Sequence, residues 1–148
     1  MSVAALINTM ADEADLIDDL LDAVVEQRES VKGGDHVAIQ NLMKRVQDIS
    51  FRVQAMENQR ARLTESVSGE LGCEAHLSAL SQVIPEENRA LFVGAGERLG
   101  HSVFELKSEM AILSGLIEHN ERFSAMLLSE WRRLGADFTH SGGLDFRG

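Results

Sequence analysis

Between Leu99 and Leu134 the chain repeats one seam: Leu99, Val103, Leu106, Met110, Leu113, Ile117, Asn120, Ser124, Leu127, Trp131 and Leu134, ten steps that alternate between four and three residues. A 3.5-residue repeat sustained over so many turns keeps one edge of an α-helix against a partner helix, the geometry of coiled coils. A strand would need alternation by two, and the sequence has no run of it of useful length. Two earlier segments carry the same spacing. One reads Met10, Ala14, Ile17, Leu21, Val24, Arg28, Val31; the other reads Ile39, Leu42, Val46, Ile49, Val53, Met56, Arg60, Leu63. The arginines supply aliphatic stems to these seams. A single proline in 148 residues leaves the helices uninterrupted.

The punctuation divides the chain accordingly. Lys32-Gly33-Gly34-Asp35 ends one helix and offers Asp35 as the N-cap of the next. Gly69 and Gly72 end the second. Leu77, Leu80, Val83 and Ile84 predict a brief helix, and Pro85 with Glu86 and Glu87 suits the first turn of the third long one. The fold class expected is all-α: an elongated antiparallel coiled-coil-like bundle of three long helices plus one short helix, with the third returning alongside the second. Residues 1–134 form one helical-bundle domain, and 135–148 a flexible Gly-rich tail.

Length adds an expectation about function. At 1.5 Å per residue, helices over 3–31 and 36–67 span roughly 44 and 48 Å, whereas an unbroken 86–134 spans roughly 74 Å. Gly94, Gly96 and Gly100 favour a bend near the start of that helix. Even 97–134 alone is longer than the second helix, so the C-terminal seam is left without an intramolecular partner. Exposed apolar seams usually mark binding sites. The candidate partner-binding residues are therefore Ile117, Asn120, Phe123, Leu127, Leu128, Trp131 and Leu134. Asn120 either specifies register or faces solvent where the seam ends. Trp131, the only tryptophan, belongs either to the core or to this interface. Phe138, Leu144 and Phe146 in the tail either fold onto a partner or are incidental composition.

Charge and chemistry exclude other classes. The net charge is −10, too acidic for a general nucleic-acid or anionic-membrane binder. Residues 1–31 carry eight acids and one base, while 36–67 carry five bases and three acids, so attraction between the first two helices favours their pairing. One cysteine, Cys73, allows neither an internal disulfide nor a thiolate zinc site, and fits a reducing cytosol. The N-terminus lacks the basic region of a signal peptide, and no stretch is long and apolar enough to span a membrane. The histidines, His36, His76, His101, His119 and His140, have no metal-site spacing, and Glu97 with His101 reads as an exposed helix pair. The Gly-Ala-Gly at 94–96 lacks the Lys-Ser/Thr of a phosphate loop. No enzyme, metal or cofactor is expected.

The stretch LIDDLLDAVVEQRESVKGGDHVAIQNLMKRVQDISFRVQAMENQRARL resembles the first hairpin of the FlgN-type flagellar export chaperones. Glu29, Gly34-Asp35, Lys44, Glu57 and Arg60 stand where that family has a Glu-plus-apolar turn, Gly-Asp, a basic middle and a Glu/Arg end. IEHNERFSAMLLSEW is similar to the family's last helix, with Asn120 and Leu127-Leu128 in place of its Asn and apolar pair. The resemblance covers about residues 6–134, with the three glycines at 94–100 and the short tail as departures. It implies a cytoplasmic chaperone that binds the terminal helices of hook-associated (hook–filament junction) proteins, prevents their premature assembly and delivers them to the flagellar type III export machinery. It implies a client site in the C-terminal helical region, no nucleic-acid partner and no membrane insertion, and leaves room for a weak homo-oligomer. The alternative is a structural coiled-coil protein that uses the same seam to self-associate, without a secretion client.

Overall fold

The computed structural model describes residues 3–119 together with 128, 129, 132 and 133. Four helices and no strand occur among them: α1 (Val3–Gly33), α2 (His36–Leu71), α3 (Leu77–Val83) and α4 (Glu86–Glu118). The α1–α2 turn closes as the sequence predicts. Gly34 adopts φ 67°, which a side chain would strain. The Gly34 N–H donates to the Val31 carbonyl at 3.2 Å and that of Asp35 to Ser30 at 3.0 Å. The Asp35 carboxylate then accepts from the Ala38 N–H at 3.0 Å, capping α2. α2 runs through Gly69 and stops only at Gly72 (φ 70°), whose N–H, with that of Cys73, bonds the Ser68 carbonyl.

α1 is the central helix. α2 packs antiparallel along it and α4 packs along it in parallel. The return of the last long helix alongside α2 is therefore corrected: α4 lies against α1. Ion pairs flank the apolar seams of this arrangement. Arg98 of α4 meets Asp15 and Asp18 of α1, and Ser102 donates to Asp18 at 2.7 Å. Further along both helices, Arg28 reaches Glu109 at 2.8 Å. The acids of α1 thus serve α4 as well as α2, where Glu26 meets Arg45 at 3.4 Å.

With a partner on each side, α1 buries a wide stripe: Val3, Leu6, Met10, Glu13, Ile17, Leu20, Val24, Gln27 and Val31, again alternating by three and four, with Ala14 and Ala23 beside it. Of the expected seam, Met10, Ala14, Ile17, Val24 and Val31 are buried, and the difference falls at two positions. Leu21 and Arg28 are only half-buried, and Leu20 and Gln27 take the interior. In α2 the same rotation buries Met43, Ser50, Glu57 and Thr64 and leaves Leu42, Met56 and Leu63 half-buried. In α4 the expected seam holds from Leu99 through Val103, Leu106, Met110 and Leu113 to Ile117, all buried.

α4 passes through Gly94, Gly96 and Gly100 without a break and ends at Glu118, where the His119 N–H donates to the Leu116 carbonyl at 3.2 Å. The long helices therefore have 31, 36 and 33 residues. They span roughly 46, 54 and 50 Å. α4 is no longer than α2, and the expected overhang falls on residues 120–134, of which only 128, 129, 132 and 133 are among the described residues. His101 pairs with Glu105, at 3.6 Å, rather than with Glu97.

Candidate functional site

The sequence directs attention to the C-terminal end of α4. α1 and α4 run in parallel, with Arg28 beside Glu109. Eight residues further brings Ile117 level with the Gly34–Asp35 turn. Ile117 is completely buried there. Its side chain is part of the core, so a partner reaches it only by displacing what covers it. Leu116 and Leu128 are half-buried and pack against the same core. Asn120, Phe123, Leu127, Trp131 and Leu134 lie outside the described residues, as does the tail 135–148.

Arg132 adds a geometric constraint. Its Nη2 lies 3.8 Å from Glu118 Oε1. Fourteen residues of straight helix would separate the two backbones by roughly 21 Å, beyond the combined reach of both side chains. Glu118 and Arg132 therefore do not share one continuous helix. Both are exposed, so the pair itself contributes under about 1 kcal/mol. Its value is topological, because it returns residue 132 to the end of α4.

A second constellation lies inside the α1–α2 hairpin. Arg60 is completely buried, and so is Glu13; Glu57 is nearly so. Arg60 Nε donates to Glu57 Oε2 at 2.9 Å, Nη2 donates to Glu57 Oε1, and Glu13 Oε2 sits 3.2 Å from Arg60 Nε across the helix pair. Glu57 and Arg60 are three residues apart and form a fork-to-fork pair on one face of α2. Two carboxylates thus share one guanidinium away from water. Burial pushes the Glu13 carboxyl up to about 9. Neighbouring Glu57 adds to the rise, and Arg60 opposes it. With Glu13 protonated the cluster is neutral. Thr64 and Ser50 are satisfied locally, donating to the Arg60 and Val46 carbonyls. The buried Gln27 amide meets no hydrogen-bond partner among the described residues.

Arg60 is expected in a seam and found there, but Glu13 and Gln27 are missed. The available signal is that the three–four alternation traced from Val3 passes through both. Among the described residues no group of three or more His, Cys, Asp or Glu could hold a metal ion, and no helix is long and apolar enough to cross a membrane.

Long parallel and antiparallel seams, ion pairs between helices and an apolar end that closes at Ile117 define an all-α bundle built to pair helices. The model of the FlgN protein family matches residues 1–139, and the chain belongs to that family. It is accordingly a flagellar export chaperone, of a family that binds flagellar proteins during flagellum assembly and is a chaperone family rather than one of enzymes. No curated protein and no solved structure matches the chain.

Proposed function

We propose that this chaperone acts in the cytoplasm on hook-associated proteins, the components of the hook–filament junction. It holds their terminal helices, prevents premature assembly and delivers them to the flagellar type III export apparatus. The client helix is taken by the C-terminal region: Ile117, Asn120, Phe123, Leu127, Leu128, Trp131 and Leu134. The observation that carries this reading is that the seam of α4 continues in sequence to Leu134 although α4 itself stops at Glu118. The apolar residues beyond it are surplus to the long helix. An amphipathic client helix completes such a seam by laying its own apolar face into it. Export requires release, so the contact is moderate rather than permanent.

The test is titration of a peptide carrying the terminal helix of a hook-associated protein into the full chain, followed by calorimetry. The double substitution Leu127→Asp, Trp131→Ala is expected to preserve the helical circular-dichroism signal and abolish binding. Unfolding of the bundle by these changes would place both residues in the core and refute the assignment. A second reading, self-association without a client, is favoured by Phe104 and Ile112, which are 68 % and 48 % exposed on α4. A stable, salt-resistant oligomer that ignores the peptide would support it over the first.

A further inference from the structure

Glu57 and Arg60 contribute nothing to the proposed client site, yet they occupy the interior of the hairpin with Glu13. A buried ionic group is weak support for stability, since well-packed apolar residues of similar volume often do as well or better. In some coiled coils a single buried polar group instead fixes register, discriminating between alternative pairings. The seams of this chain need it. From Val3 to Val31 and from Ile39 to Val67 they repeat every seven residues, so apolar contact alone accepts any shift by one heptad.

We infer that the Glu13–Glu57–Arg60 cluster is a register lock, which makes one alignment of α1 with α2 acceptable and penalises the others. In the observed register Glu13 faces Arg60, with Nε 3.2 Å from Oε2. A slip of one heptad in one direction sets Glu13 against Val53 and Arg60 against Leu6. In the other direction it sets Glu13 against Val67 and Arg60 against Leu20. All four of those residues are buried and apolar. Either slip separates Glu13 from Arg60, leaves Glu13 against an apolar residue and sets the Glu57–Arg60 pair, which stays together on α2, against apolar residues of α1.

Within one chain the Gly34–Asp35 turn already resists a slip of this size, which is roughly 10 Å. Between two chains no turn does. The lock therefore acts where the turn cannot, against heptad pairing of α1 or α2 with the same helices of a second copy.

The test replaces the cluster with apolar side chains, Glu13→Leu with Glu57→Leu and Arg60→Met, in the full chain. The expected variant is as helical as the wild type and unfolds at the same temperature or higher. It gives masses beyond those of the wild type by size-exclusion chromatography with light scattering, and more than one set of backbone amide cross-peaks by NMR. The same masses and a single set of cross-peaks would overturn the inference. Should the triple variant fail to fold, Glu13→Leu alone decides, because it keeps the Glu57–Arg60 pair on α2. Extra species in that variant support the lock, and a single species overturns it.

Discussion

Glu13→Gln tests the electrostatics of the hairpin interior directly. The wild-type carboxyl rises from an ordinary value of 4.5 to about 9 on folding, because burial and Glu57 penalise its charge more than Arg60 favours it. Folding above pH 4.5 therefore takes up a proton. For a group whose folded value is raised, the stability it permits is fully present below the unfolded value and is lost as pH climbs toward the folded one. At pH 7 the gap from 4.5 is 2.5 pH units. At about 1.4 kcal/mol per unit this is a penalty of about 3 kcal/mol, and any folded value above 7 gives the same figure. Glutamine has nearly the same shape and stays neutral throughout, so it escapes the penalty. Urea unfolding followed by circular dichroism at 222 nm, repeated from pH 5 to 8, reads the difference. The variant should match the wild type near pH 5 and gain on it by up to about 1.4 kcal/mol for each further pH unit. A difference independent of pH would refute the reasoning. A constant loss in the variant would mean instead that Arg60 holds Glu13 ionised across the whole range.

Three further outcomes check the account. Leu106→Ala, in the middle of the α1–α4 seam and completely buried, should lower unfolding free energy by about 2–5 kcal/mol in urea titration. Asp35→Ala removes the acceptor for the Ala38 N–H and should cost about 1 kcal/mol, read as a lower thermal midpoint. Client binding should survive Phe51→Ser, because Phe51 is 79 % exposed on α2, away from the C-terminal end of α4; the change should alter stability by no more than about 0.5 kcal/mol.

How far the sequence was legible follows from what each signal measures. Heptad spacing reports the period of the buried face, so it placed three long helices and traced the interior of α4 from Leu99 to Ile117. Local chemistry reports turns, so Asp35 and Gly72 fell at the ends of α2. Neither signal reports how many partners a helix has. An apolar stripe drawn for one neighbour selects Leu21 and Arg28; a helix flanked on both sides buries a wider arc, and Leu20, Gln27 and Glu13 turn inward. The polar members of that arc were hidden for the same reason. Glu13 belongs in the interior only once Arg60 faces it from α2, and that contact joins residues 47 positions apart. The overhang turns on a different point. The spacing continues to Leu134, but a period does not say where the helix stops, and α4 ends at Glu118. The Arg132–Glu118 pair then requires the chain to return to the end of the bundle. Ile117 and Leu128, the two members of the candidate client site among the described residues, pack into and against the core of the bundle, so a client that binds through them competes with contacts the chain makes to itself.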